Sequence, residues 1–584
     1  MSGRLRLLAL LAAMLLSLLV RVGTLNRAEN IAKDGTVHLL IAHEFGRTPA
    51  GEILRSHHYH PAYPAAIAAV AGAFGASWPD GWIAAGQWVS LSFGMLALVC
   101  LFFVAGAMFD RGIALITVAL VGLSSEFTAL SCDVTSDATA AAMVLLAVAL
   151  GLRARRLVQA RNRWAAPTAG LSGLAAGTGY LTRPEALLSA VIVLVLLLTL
   201  RPPTRRERML QLAAAAALVV ATVACVLPYA AVIGGLTHKK SLADFALPFE
   251  PEPALLRKRV NVLYAPIRVL GRGMGAITPT LGILLILAWL TWIGAYVFRV
   301  RLPKGILVGP SRAGAIAMFA PAAVLLPLLT ALEIRRGPEY VSSRHVLMPV
   351  LFLAPGAGAG LVILARWTVL LGERLGAHLR RTAQARGEPA RGPGALLAKV
   401  LTPRPTLAVC AWTLIVLSAL AFAAVPVMHK GKGFYRQAGL DIRNSFGPGR
   451  YFLAPNGWTP FFAEAPVEQF TATSARPYYG LQENFPASPD AILNRAAIVG
   501  RGGPYDFLVL DSKLLAEEPY KDLLARLASD GRFQQIGRWP VEQVAPPQSR
   551  RGEKQEAIWV FRLVRPAHPQ AKPQEGARGI GTPQ

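Results

Sequence analysis

The chain has few charged residues, and few of those are acidic. Only 16% of its 584 residues are charged and 54% are hydrophobic, whereas charged residues make up about 25% of a soluble domain. This deficit argues against an ordinary soluble enzyme. Lys and Arg number 60 against 33 Asp and Glu, a formal net charge of +27. In a hydrophobic chain such a surplus is typical of cytoplasmic loops and of contact with anionic lipid. We therefore expect membrane lipids, and no nucleic acid, among the partners.

Several other features are missing. The four cysteines are scattered without paired spacing, which gives no disulfide framework or metal knuckle. Nothing matches a P-loop, a dinucleotide fingerprint, a nucleophile elbow or a zincin helix, so chemistry on soluble nucleotides is not supported. The first apolar run is followed by Arg21-Val22-Gly23 instead of a small-x-small cleavage site, which predicts an uncleaved first helix.

Apolar runs recur along the chain at lengths near the roughly 20 residues that cross a bilayer. They predict a mainly α, polytopic membrane protein of about 11 transmembrane helices, at about 5–22, 86–108, 112–127, 137–152, 167–182, 186–200, 210–233, 279–298, 313–333, 346–365 and 405–427. Arg and Lys follow the fourth, sixth, eighth and tenth runs, on the same side as Arg4 and Arg6. By the positive-inside rule, this predicts an inner (plasma) membrane protein whose N-terminus is cytoplasmic.

The same pattern predicts three regions. A transmembrane domain spans 1–427 and has a long first extracytoplasmic loop at 23–85. A small extracytoplasmic α/β domain spans 428–565, with strands at 505–511, 533–539 and 557–564 and a helix at 514–529. The tail 566–584 is rich in Pro, Gly, Gln and Lys, which predicts disorder.

Two hairpins are too short to reach the outer surface. The stretch 167–200 lies between two basic loops and allows only about 15 residues for each of two crossings, short of the roughly 20 required. Its tip is 182–185, and a similar tip lies at 131–137. Charged groups at that depth are costly unless they face a wet or protein-lined cavity. The two tips therefore predict a cavity that opens outward.

Asp34 is the leading candidate for chemistry. It lies shortly after the first predicted span, where a carboxylate could act as a general base toward a hydroxyl acceptor. The alternative is an Asp that caps an interfacial helix starting at Gly35.

Both hairpin tips carry ionisable groups, and the groups at each tip have two possible interpretations. Asp133 and Asp137 are four residues apart and would share a face if helical; alternatively Ser136 or Asp137 caps the following helix. Arg183 and Glu185 form either a structural ion pair or, because an Arg recessed in the membrane often serves an anionic ligand, part of a binding site.

Further cationic groups fall on the same side: Arg335, Arg336, Arg344 and His345. Arg suits bidentate binding of phosphate, and interfacial snorkelling is the alternative. The histidines His57, His58 and His60 invite a metal site, but no spaced partner pair completes one. Contact of His58 and His60 with a headgroup or phosphate is favoured, and no cofactor is assigned.

The order of these pieces resembles the GT-C superfamily of integral-membrane glycosyltransferases, and within it the protein O-mannosyltransferases and aminoarabinose transferases. The resemblance covers about residues 5–365. It rests on Lys33-Asp34-Gly35 with the following 60–64, on the acid-bearing turn 133–137, on the run 177–187 and on Ser343-Arg344-His345. One departure is that the protein mannosyltransferases carry an Asp-Glu pair in the first loop, whereas Gly35 follows Asp34 here.

The resemblance implies a polyprenyl-phosphate sugar as donor and a hydroxyl acceptor. It implies that Asp34 acts as the base in a reaction that inverts the anomeric carbon of the sugar. Arg183, Arg344 or His345 would stabilise the leaving phosphate. Asp137 or Glu185 would position either substrate.

Two other functions compete with this one. A transporter or flippase of a lipid-linked glycan would share the spans and the basic cavity, but the chain shows no internal repeat of the kind frequent in transporters. A non-enzymatic envelope-assembly protein would leave the recessed Arg183 and Asp137 without a purpose.

Overall fold

A computed structural model describes residues 3–57, 59–237, 266, 269, 279–297, 310–336, 341, 343–385, 405–423, 428–429, 431–466, 488–497, 499–500, 503–516, 520–540 and 557–564. The chain divides into two compact units, Met1–Met428 and His429–Gln584. The predicted disordered tail lies outside the described residues.

The first unit is helical. In chain order its helices are α1 (Gly3–Leu25), α2 (Lys33–Glu44), α3 (Ala50–Ser56), α4 (Ala62–Ala73), α5 (Asp80–Met108), α6 (Arg111–Gly122), α7 (Ser125–Cys132), α8 (Asp137–Gln159), α9 (Ala165–Tyr180), α10 (Leu188–Leu198), α11 (Arg205–Ile233), α12 (Pro279–Val297), α13 (Arg312–Arg336), α14 (Leu347–Ala385) and α15 (Pro405–Ala423). Short 3-10 turns at Pro184–Leu187 and Ser343–Val346 precede α10 and α14.

Within the described residues, each of the eleven predicted apolar segments is mainly helical, but the third is not a single straight span. It consists of α6 and α7, which meet at an angle of 66°. Gly122, a weak helix former, ends α6, and Ser124 takes an extended backbone before α7. The continuous helix expected over 112–127 is therefore wrong at this point.

The first unit is an integral multi-pass membrane protein. Among the described residues, six helices are long and apolar enough to cross a bilayer, and the bent α6–α7 pair would make seven. The remaining apolar helices are shorter, α10 among them. The exact count of eleven crossings stays a prediction.

The core of this unit is formed where α5, α8, α9 and α11 pack together. Gly173 and Gly177 lie one turn apart on α9 and face α11. A Cβ at these positions would lie 2.3 Å from the Leu218 carbonyl oxygen and 2.4 Å from the Cys225 Cβ. Small residues at this spacing let helix backbones approach closely in a membrane. Their packing fixes the end of α9, from which Arg183 projects.

The second unit contains a four-stranded sheet in the order β1-β4-β6-β5. Its elements are α16 (Gly433–Phe446), β1 (Phe452–Leu453), α17 (Trp458–Phe462), α18 (Pro489–Ala497), β2 (Val499–Gly500), β3 (Gly503–Pro504), β4 (Phe507–Asp511), α19 (Ser512–Leu515), α20 (Leu523–Ser529), β5 (Phe533–Trp539) and β6 (Ile558–Leu563). Strand β1 is parallel to β4, whereas β6 is antiparallel to β4 and β5.

The three predicted strands of this unit are present as β4, β5 and β6, and the unit is a small α/β domain. The single helix expected at 514–529 is wrong: it is replaced by α19 and α20, and Tyr520–Asp522 between them is not helical. The sequence carries Pro519 between the two helices, and proline is unfavourable inside a helix because it lacks the backbone N–H.

Candidate active site

Asp34 forms an ion pair with Arg344, which lies 310 residues later in the sequence. It lies in the first turn of α2, and its Oδ2 is 2.6 Å from Arg344 Nη1 in the turn before α14. The side chains are 30% and 37% exposed, respectively. The start of α2 has no side-chain capping hydrogen bond. The capping alternative is therefore not observed, and the carboxylate faces another charged group.

The environment of Asp34 keeps its carboxyl ionised. Burial acts to raise the pKa of Asp34, but the charge and hydrogen bond of Arg344 oppose it, together with His38 and a hydrogen bond from Tyr59, and the pKa falls below its ordinary value of 3.8. At neutral pH the group is therefore a carboxylate, the form in which a general base accepts a proton.

A second arginine–carboxylate pair joins the two hairpin tips. Arg183, just after α9, donates through Nη1 to Oδ1 of Asp137, the first residue of α8. Its Nε is 3.6 Å from Oε2 of Glu185. The side chain of Asp137 is only 3% exposed and that of Arg183 16%, whereas Glu185 is 40% exposed. The ion pair between Arg183 and Glu185 that the sequence suggested is present. Arg183 also pairs with Asp137, which is the more buried of the two acids.

Asp133 has a structural contact that the sequence did not reveal. Its Oδ1 accepts hydrogen bonds from the backbone N–H of Val134 and of Ala32, each at 2.8 Å. Ala32 is the residue before α2, so Asp133 holds the start of the helix that carries Asp34. Asp133 directly follows α7 and Asp137 begins α8, so the two do not share a helix face.

Gly35 brings the same two segments together. A Cβ at Gly35 would lie 2.8 Å from the carbonyl oxygen of Val134 and 3.0 Å from its Cβ. Real Cβ atoms do not approach a backbone oxygen that closely, so α2 can meet this turn only with glycine at position 35.

The two ion pairs belong to one electrostatic cluster. Arg183 interacts with the charges of Asp137, Glu185, Arg344 and Asp34, and Arg344 also interacts with Asp137. His345 interacts with Arg183, Arg344, Asp137 and Glu185. The structure therefore brings together Asp34, Asp137, Arg183, Glu185, Arg344 and His345, which the sequence scatters over more than 300 positions.

Two aromatic neighbours of Asp34 were not predicted. Tyr59 hydrogen-bonds to the carboxylate, and its ring centroid is 4.3 Å from that of the buried His38. His38 lies four residues after Asp34, on the same face of α2. The spacing of four residues could have indicated that His38 lies beside Asp34, whereas nothing in the sequence indicates the contact with Tyr59.

The other candidate residues have mixed outcomes. His60 is buried, its Nε2 is 3.3 Å from Thr237 Oγ1, and its ring lies 5.1 Å from that of Tyr180. His57 Nε2 is 2.8 Å from Glu44 Oε2. His58 lies outside the described residues, as do the side chains of Arg335 and Arg336. Within the described part of the chain, no three His, Cys, Asp or Glu side chains come together as a metal site.

Residues 64–228 match the family model described as Dolichyl-phosphate-mannose-protein mannosyltransferase. This segment contains Asp133, Asp137, Arg183 and Glu185 and begins after Asp34. No curated protein matches the sequence.

The fold is similar to solved membrane glycosyltransferases. ArnT from Cupriavidus metallidurans bound to undecaprenyl phosphate is 14% identical with a TM-score of 0.54, covering 98% of this chain and 100% of that one. The apo structure of the same ArnT is 14% identical with a TM-score of 0.51, covering 94% of this chain and 97% of that one. The oligosaccharyltransferase AglB from Archaeoglobus fulgidus is 13% identical with a TM-score of 0.48, covering 89% of this chain and 70% of that one. The chain thus shares the fold of the two ArnT structures, as the resemblance to membrane glycosyltransferases predicted.

Proposed function

We propose that this chain is a glycosyltransferase that moves a sugar from a polyprenyl-phosphate-linked donor to a hydroxyl acceptor on the extracytoplasmic face, with inversion. The acceptor is a lipid, a glycan or a protein, and the sugar is a hexose or a pentose. The observation that carries the proposal is the ionised Asp34 beside Arg344, next to the buried Arg183–Asp137 pair. The structure of the similar ArnT with undecaprenyl phosphate supports the class of donor.

Arg344 is the best phosphate ligand in the cluster. A guanidinium has five N–H donors, and the contact with Asp34 is made by Nη1. With 37% of its side chain exposed, Arg344 can hold an entering phosphate by charge-assisted hydrogen bonds while it still touches Asp34. Arg183 is more buried and is committed to Asp137, so its role is a fixed positive charge that stabilises the leaving phosphate.

Asp34 acts on the acceptor. The acceptor oxygen attacks the anomeric carbon as the bond from that carbon to the phosphate oxygen breaks, and the phosphate leaves with the bonding electrons. The acceptor proton passes to the Asp34 carboxylate. Attack from the face opposite the phosphate inverts the centre. In this scheme Glu185, 40% exposed, and His345 contact the substrates, and Asp133 holds the start of α2.

Mass spectrometry of envelope glycans and glycoproteins, from cells with and without the protein, tests the proposal. Loss of one sugar from one class of molecule is the expected result and would identify donor and acceptor together. Purified protein in proteoliposomes, supplied with that lipid-linked sugar and acceptor, should then form the product. Protein that moves the lipid-linked sugar across the bilayer without transferring it would instead indicate a transporter.

A further inference from the structure

Arg21 is a fully buried arginine within a membrane-spanning helix. It lies in α1 and is 0% exposed. Among the described residues no carboxylate pairs with it, and its Nη2 has no hydrogen-bond partner. An ionisable group at such a position is costly and usually has a function. The proposed transfer mechanism leaves it without one.

The partners of Arg21 come from the break between α6 and α7 and from its own helix. Its Nη1 donates to the carbonyl oxygens of Gly122 (2.8 Å) and Ser17 (3.1 Å). Gly122 is the last residue of α6, where free carbonyls give the helix end a partial negative charge. The guanidinium also lies 5.3 Å from the centroid of the Phe127 ring. Arg21 therefore satisfies groups that a bent helix leaves open inside a bilayer.

The other side of the guanidinium reaches the end of α7. Arg21 Nε donates to Ser131 Oγ at 2.8 Å, and Cys132 Sγ is 3.4 Å from the Arg21 carbonyl oxygen. The next residue is Asp133, which binds the Ala32 N–H. The end of α1 and the start of α2 are thus attached to three consecutive residues of one turn.

We infer that Arg21 is a positioning residue for the transfer reaction. By fastening α7 to the α6–α7 break, it fixes the turn that sets the place of Asp34 relative to Asp137. The inference rests on the proposed function for its catalytic consequence, but its structural link, from Arg21 through Ser131 to the start of α2, is testable without activity.

Arg21→Gln and Arg21→Lys break the bridge in two ways, because neither side chain can hold Gly122 and Ser131 together as a guanidinium does. Ser131→Ala removes the α7 contact of Arg21, together with the hydrogen bonds that the hydroxyl donates to the Phe127 and Thr128 carbonyl oxygens, and keeps the Cβ that packs against Gly94. A matched control is Arg155→Gln, since Arg155 also donates to a helix-end carbonyl, that of Leu196 in α10, on a chain segment remote from Asp34.

The first measurement is hydrogen exchange of the full chain in detergent or nanodiscs. Peptides covering 26–36 should exchange faster in the Arg21 variants and in Ser131→Ala, and at the wild-type rate in Arg155→Gln. The second is transfer kinetics: kcat should fall by about tenfold to a hundredfold, as small misplacements of catalytic groups do, while KM for the lipid-linked donor stays within about threefold. Arg21→Lys, which keeps the charge, should exchange and react nearly as Arg21→Gln does.

Unchanged exchange at 26–36 in folded Arg21→Gln and Ser131→Ala would overturn the inference. An equal rise in exchange throughout the first unit would also overturn it, because that would mean general destabilisation. Failure of the wild type to transfer any sugar would refute the proposed function, whereas the exchange result would still decide the role of Arg21.

Discussion

Replacing Asp34 by Asn is the sharpest perturbation of the proposed mechanism. The amide has the same shape but cannot take up the acceptor proton. General-base catalysis contributes about 10²- to 10⁴-fold to a rate, which corresponds to about 2.7–5.5 kcal/mol of transition-state stabilisation. We therefore expect kcat to fall by at least about a hundredfold.

The cost to folding should be much smaller. The side chains of Asp34 and Arg344 are 30% and 37% exposed, and ion pairs in contact with water contribute about 0–1 kcal/mol. Because the substitution also releases Nη1 of Arg344, affinity for a lipid phosphate should stay constant or rise. Loss of kcat with retained phosphate binding is therefore the expected signature.

The assay combines product formation, followed by mass spectrometry, with binding of undecaprenyl phosphate measured by native mass spectrometry. Glu52→Gln is the matched control, because Glu52 is an exposed carboxylate in the first turn of α3, in the same loop. If Asp34→Asn forms product within about threefold of the wild-type rate at equal amounts of folded protein, the assignment of Asp34 as base is refuted.

Three further changes test the neighbours of Asp34. Arg344→Gln removes the charge that lowers the pKa of Asp34, so burial raises this pKa. Because activity needs the Asp34 carboxylate, the acid limb of the pH–rate profile should move to higher pH. Arg183→Gln leaves the buried Asp137 charge unpaired and should destabilise the fold by about 3–5 kcal/mol in thermal unfolding. Adding Asp137→Asn should restore folding but not transfer. Gly35→Ala places a methyl 2.8 Å from a backbone oxygen and should cost about 1–3 kcal/mol and reduce transfer.

Each of these has a contradicting outcome. An acid limb that stays in place in Arg344→Gln would mean that its charge does not act on the base. A double variant no more stable than Arg183→Gln would show that the Asp137 charge is not the source of the destabilisation. Gly51→Ala in α3 has open space around its Cβ and should leave folding and transfer intact, so an equal loss there would remove the steric argument for Gly35.

The helical segments were predictable because the length of an apolar run is a local property of the sequence. The bend between α6 and α7 was not, since the carbonyl oxygen freed at Gly122 accepts hydrogen bonds from Arg21 and Ser17, about 100 residues earlier. In the sequence Arg21 marks the end of an apolar run, yet α1 continues to Leu25 and buries it. Pro519 could have been used to divide the helix predicted at 514–529.

The candidate site was predictable as a set of residues but not as a set of pairs. Sidedness places Asp34, Asp137, Arg183 and Arg344 on one face of the membrane, but either arginine could then have paired with either acid. The choice depends on packing: the close contact of α9 with α11 fixes the position of Arg183, and Asp133 fixes the start of α2. The roles of these residues in transfer stay predictions.

Gly35 bears on which groups can lie beside Asp34. The protein mannosyltransferases that the chain resembles have a Glu after the Asp, but no side chain fits at Gly35 unless α2 moves away from Val134. A second carboxylate on α2 next to the base is therefore excluded by backbone packing. The buried acid that pairs with an arginine in this cluster is Asp137, which comes from α8 and is neutralised by Arg183. The groups that contact the Asp34 carboxylate are therefore Arg344, which pairs with it, and Tyr59, which hydrogen-bonds to it, instead of a second carboxylate from α2.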